Sequence, residues 1–107
     1  MSTTFHAIQS LVCAGDFFVS KHGDRELADD AIILSHAITS VVSGIVVEDY
    51  PDHGRGACVL VLQYDLDRRP AHVLWGLRRG TIRPAVLITA YRPNEGQWTS
   101  DWMRRLK

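Results

Sequence analysis

Three β-rich runs follow one another between Ala57 and Arg92, and their short connections leave the chain few topologies. The runs are Ala57–Tyr64, Ala71–Leu77 and Ala85–Tyr91. The first is apolar at both alternate positions, a pattern shared by doubly buried strands and short buried helices. Its two valines, aromatic end and eight-residue length favour the strand. The second places Ala71, Val73, Trp75 and Leu77 on one face, with His72, Leu74 and Gly76 on the other. The third sets Val86, Ile88 and Ala90 against Ala85, Leu87, Thr89 and Tyr91. Connections of about six residues are too short for a crossover helix, so neighbouring strands run antiparallel. Pro70 marks a strand entrance, since it cannot donate to a ladder. Ile45–Tyr50 reads as a fourth strand ahead of the turn-rich Pro51–Gly56. The expectation is a four-stranded antiparallel meander.

The residues before the sheet have helical spacing. Phe5, Ile8, Leu11 and Val12 form a stripe over residues 4–14, with Thr3 or Thr4 as N-cap and Gly15 as terminator. Phe17-Phe18-Val19 is a short apolar step. Ser20 caps a second helix running from Lys21 to about Asp30, which Gly23 weakens by about 1 kcal/mol against alanine. A third begins at Ser35, carries Leu34, Ile38, Val41 and Val42, and ends at Gly44. The fold class that follows is α+β, with N-terminal helices packed on one face of the sheet. After the turn Pro93–Gly96, a short C-terminal helical turn would set Trp98 and Trp102 on one side. Both indoles then either clamp the tail to the body or stack on bases, and clamping is the plainer role.

With 107 residues, 46% of them hydrophobic, the chain reads as one domain over 1–107 with a sizeable core. Residues 1–15 form an additional N-terminal helix before an α+β unit over 17–105. No apolar run nears the roughly 20 residues of a membrane span, and no positive secretory start is visible, so a cytoplasmic, non-membrane protein is expected. Cys13 and Cys58 lie in apolar settings and read as buried thiols rather than a disulfide. His6, His36 and His53 lack ligand spacing, and no metal or cofactor is expected. The net charge of zero conceals a division. Residues 1–54 carry two basic against eight acidic side chains (−6), and residues 55–107 carry ten basic against four acidic (+6). Either the basic half meets an anionic partner, or the two halves neutralise each other within the fold.

Several short motifs recur here in a recognisable order. His22-Gly23-Asp24-Arg25 opens a helix, and a further helix closes in glycine. A β-run then ends in Tyr64, Arg69-Pro70-Ala71-His72-Val73 opens a strand, and Thr89-Ala90-Tyr91-Arg92-Pro93 precedes Trp98. From about Phe17 to Arg105 this order resembles the small bacterial family catalogued as domain of unknown function 4258. That family is similar to the compact ribonuclease toxins of the RelE and barnase-like group. The resemblance implies a metal-independent RNA-cleaving or RNA-binding role, with RNA and an antitoxin or other protein as partners.

Such cleavage needs a base for the 2′-hydroxyl, an acid for the leaving 5′-oxygen and positive charge on the phosphorane. Histidine suits the proton transfers near neutral pH, and arginine grips phosphate in a planar fork. The candidate set is His22, Arg25, His72, Thr89 and Tyr91, with Arg78, Arg79 and Arg92 as RNA-backbone grips. Each has a plainer role. His22 caps a helix, Arg25 pairs with Asp29, His72 is a satisfied core histidine, and Arg78 and Arg79 belong to a solvated loop. No glycine-rich phosphate loop, nucleophile elbow or paired carboxylates support other hydrolytic chemistry. The alternative is a non-enzymatic interaction module, monomeric or homodimeric, using a sheet edge.

Overall fold

The computed structural model describes residues 2–106. Helix α1 (Thr3–Cys13) is capped by Ser2, whose Oγ accepts the Phe5 amide at 3.0 Å. Its Phe5, Ile8 and Val12 enter the core, and Gly15 ends it at φ 76°, a conformation glycine adopts freely. The apolar step is a strand, β1 (Phe17–Val19). Ser20 then caps α2 (Lys21–Asp29) by accepting the Gly23 amide at 2.9 Å, and its hydroxyl donates to the Ile88 carbonyl. Gly23 is required rather than merely tolerated, because a Cβ there would lie 2.7 Å from the Leu87 carbonyl oxygen. α3 (Leu34–Ser40) runs into a 3₁₀ turn, Val41–Ser43, before Gly44.

Strands β2 (Ile45–Tyr50), β3 (Cys58–Tyr64), β4 (Pro70–Gly76) and β5 (Ala85–Tyr91) pair antiparallel in succession. The sheet is five-stranded and mixed, in the order β1-β5-β4-β3-β2, rather than a four-stranded antiparallel meander. β1 joins β5 in parallel, Phe17 opposite Ala85. Three residues are too few to display an alternation, and the partner lies at the far end of the chain, so the pairing left no local trace.

Two register shifts decide which side chains share a face. In β5, Ala90 pairs with Val73 and Thr89 with Leu74, but Trp75 pairs with Leu87, leaving Ile88 as the extra residue of a bulge. Leu87 and Ala90 therefore both enter the core, against the strict alternation expected from sequence. In β2, Val46 pairs with Val61 and Glu48 with Leu60, so Val47 is extra. The core face gathers Val59, Val61, Ala71, Val73, Trp75, Ala85, Leu87 and Ala90 with helix residues Phe5, Ile8, Val12, Leu27 and Ala37. Within it Trp75 Nε1 donates to Gln63 Oε1 at 2.8 Å, and Gln63 Nε2 donates to the Ala37 carbonyl and Ser40 Oγ. Gln63 is thus buried with its amide satisfied, fixing the end of α3 to the sheet.

The tail is a tight loop instead of a helical turn. Trp98 and Arg105 form an antiparallel bridge, and the Leu106 amide reaches the Gln97 carbonyl. Asp101 Oδ1 accepts both the Thr99 hydroxyl (2.6 Å) and the Met103 amide (3.1 Å). Such local bonds compete with helical ones, and Trp102 closes the turn at φ 65°. The two indoles consequently part company: Trp98 is buried and Trp102 half-buried.

Candidate functional site

Both bulges turn polar side chains onto the second face of the sheet, away from the core. Glu48 and Tyr50 of β2, Thr89 and Tyr91 of β5, and Arg105 of the tail surround a notch of about 180 Å³ floored by Leu60 and Leu74. Arg105 grips Glu48 through Nε (3.0 Å) and Nη2 (3.1 Å), and the Tyr50 hydroxyl donates to Glu48 Oε1 at 2.8 Å. The Arg105 fork holds the Glu48 carboxyl below its ordinary range, so it is ionised at neutral pH. The bond to Glu48 raises the Tyr50 phenol, which keeps its proton.

His72 sits beside the notch, next to Tyr91 and covered by the tail. Register places it directly opposite Tyr91, and its Nδ1 lies 3.1 Å from the Tyr91 hydroxyl. Its Nε2 lies 2.8 Å from the backbone carbonyl of Trp102, and the Trp98 ring meets the imidazole edge-on at 4.3 Å between centroids. The ring is 0% exposed. Burial pushes its pKa below the ordinary histidine value and raises that of Tyr91, so the imidazole is neutral and the phenol protonated at neutral pH. Both ring nitrogens have partners, as in a satisfied core histidine.

The structure thus brings His72, Thr89 and Tyr91 together and leaves His22 and Arg25 elsewhere. His22 is exposed on α2, 3.6 Å from Glu26, and does not line the notch. Arg25 is exposed, and the expected pair with Asp29 is absent among the described residues. Arg92 is occupied. It pairs with Asp65 at 2.8 Å and donates to the carbonyls of Arg69, Pro70 and Ala31, while its Nε is buried without a partner. Arg78 and Arg79 are exposed, and Arg78 covers the Phe18 ring at 4.8 Å. Arg78 also rims a second cavity of about 210 Å³ with Arg55 and His53, over a floor that includes Leu74 and Ile88. Leu74 lines both hollows, so they are neighbours on this face.

Sequence reasoning missed Glu48, Tyr50 and Arg105. Glu48 and Tyr50 are two apart on a strand and so share a face, which was a usable signal. Arg105 reaches them only through the folded tail. Its pair with Glu48, and that of Arg83 with Asp16, join the basic half to the acidic half, so part of the charge division is neutralised inside the molecule. Cys58 is buried as expected, but Cys13 is exposed, because its position on α1 falls off the stripe of Phe5, Ile8 and Val12. Ligating atoms of His36, Asp65 and Asp67 come within 4.8 Å of one another. The Asp65 carboxylate is committed to Arg92 and to the amides of Asp67 and Arg69, so this group caps a loop.

An α+β chain with a mixed sheet and a polar notch on its second face is what sequence and geometry together define. The chain belongs to the family described as Domain of unknown function (DUF4258), whose profile matches residues 19–92. The match runs from Val19, the last residue of β1, through β5, with His72, Thr89 and Tyr91, and leaves out α1, the rest of β1 and the tail bearing Arg105. No curated protein and no solved structure matches the chain.

Proposed function

We propose that the chain is an RNA-binding domain of the metal-independent ribonuclease-toxin kind, with the second face of the sheet as its RNA track. The observation that supports this most is the meeting of Glu48, Tyr50, Thr89, Tyr91 and Arg105 in one notch, next to a hollow rimmed by Arg55 and Arg78. The rim arginines take backbone phosphates, and the apolar floor suits a base. In the notch, a phosphate competing for Arg105 loosens its hold on Glu48, and the freed carboxylate becomes a stronger base. Glu48 then accepts the 2′-hydroxyl proton and the 2′-oxygen bonds to phosphorus as the 5′-oxygen leaves. Arg105 meets the charge on the phosphorane, and a water protonates the 5′-oxygen. The products are a 2′,3′-cyclic phosphate and a 5′-hydroxyl. The reaction class is the one that the sequence resemblance to RelE and barnase-like toxins implies, and it enters by analogy alone.

Incubating the protein with an unstructured RNA at low salt with chelator tests this reading. Cyclic-phosphate ends, lost about a hundredfold in Glu48→Gln while binding persists, are the expected result. Protein that neither binds nor cuts RNA overturns it. A second reading, a homodimerising module, draws on the outer edge of β2, where Ile45 is 50% exposed. A concentration-independent monomer in sedimentation rules that out.

A further inference from the structure

We infer that the notch reads the ribose 2′-hydroxyl, separating RNA from DNA, because His72 turns the Tyr91 phenol into a hydrogen-bond acceptor. This rests on the nucleic-acid reading above and adds to it the residue that sets the sugar preference. A backbone carbonyl can only accept, so the 2.8 Å contact with Trp102 places a proton on His72 Nε2. In a neutral ring Nδ1 is then bare, and the Tyr91 hydroxyl, 3.1 Å away, must donate to it. The phenol oxygen is left to accept from whatever enters the notch. Tyr50 is spent in the same sense, its proton held by Glu48.

The notch therefore offers two phenol oxygens and a carboxylate as acceptors. Its fixed donor is the Arg105 guanidinium, and the Thr89 hydroxyl serves either way. A nucleic-acid strand fits this set when its phosphate lies on Arg105 and a neighbouring group donates to the oxygens. The 2′-hydroxyl is such a donor, next to the phosphate and missing from DNA. The groups facing His72 are Tyr91 from β5, Trp98 and Trp102 from the tail and, in register on β3, Leu62. Glu48 and Arg105 are the nearest charges and act on the ring in opposite directions. His72 is a positioning residue: it touches no ligand and acts through the phenol.

The test is binding of the full chain to sequence-matched ribo-, 2′-deoxy- and 2′-O-methyl oligonucleotides, in the cold and at low salt. The 2′-O-methyl strand keeps the 2′-oxygen and loses its proton. The ribo strand is expected to bind about tenfold tighter than the other two. Tyr91→Phe, with an unchanged melting profile, brings it down to their level without weakening the deoxy strand. The wild-type protein supplies an independent readout. As pH falls through the depressed His72 pKa, Nδ1 gains a proton, the phenol turns outward as a donor, and the ribo preference collapses. Tyr91→Phe shows no such pH dependence. Equal, measurable binding of ribo and deoxy strands overturns the inference and leaves the nucleic-acid reading standing. Absence of binding to all three overturns both.

Discussion

The two faces of the sheet treat buried polarity in opposite ways. On the core face, Gln63 spends its amide on Trp75, Ala37 and Ser40, and nothing is left over. On the second face, His72 is sealed just as completely, yet its bond to Tyr91 orients a phenol that borders open space. The first network specifies where α3 docks. The second aims a ligand-facing atom. Burial and full satisfaction alone therefore do not separate structure from function, and the decisive question is whether the last atom of the chain of bonds reaches solvent.

Substitutions can break this contrast. The largest loss is expected on the core face, where Trp75→Ala costs about 3–5 kcal/mol in denaturant unfolding. Trp75→Phe is milder, about 1–3 kcal/mol, because it chiefly leaves Gln63 Oε1 without its donor. Asp65→Ala strands the nearly buried Arg92 guanidinium and should cost about 3–5 kcal/mol by the same measurement. The second face should show itself in pH rather than in bulk stability. Because the folded-state pKa of His72 is depressed, the unfolded chain binds the proton more readily. Stability is therefore complete above the ordinary histidine value of about 6.5 and falls as pH drops toward the folded pKa, by up to about 1.4 kcal/mol per unit. Unfolding curves across that range should slope in wild type and flatten in His72→Gln. Smallest is Arg105→Ala, worth about 1 kcal/mol or less in stability since the arginine is largely exposed. Its signature is a salt dependence of RNA binding shallower by about 0.7 in log–log slope.

Much of this is legible in the sequence. β5 and the bounds of β3 and β4 follow from hydrophobic runs and Pro70 to within a residue, and Ser20 and Gly15 announce a helix start and a helix end. The face of each side chain was not legible. A strand of period two displays only an uninterrupted alternation, and the bulges at Val47 and Ile88 are a phase change paid for by pairing partners. Gly23 looked like a defect in α2 and proves to be a close approach to Leu87. His72 and Tyr91 lie opposite each other through a register the sequence does not fix, and Glu48 and Arg105 meet only through the tail. The arginines were the least readable of all. Arg92 and Arg105 have the same composition-level meaning, and one is locked among carbonyls while the other borders the notch.

The carbonyl of Trp102 belongs to a surface loop, yet it decides which nitrogen of a fully enclosed imidazole holds hydrogen. Lifting that loop by a single hydrogen-bond length would let the tautomer swap and reverse the polarity that Tyr91 shows to its surroundings. A tether or binding partner pulling on residues 99–103 thereby works a remote dial on the chemistry of the opposite strand pair, without displacing a residue that lines the notch.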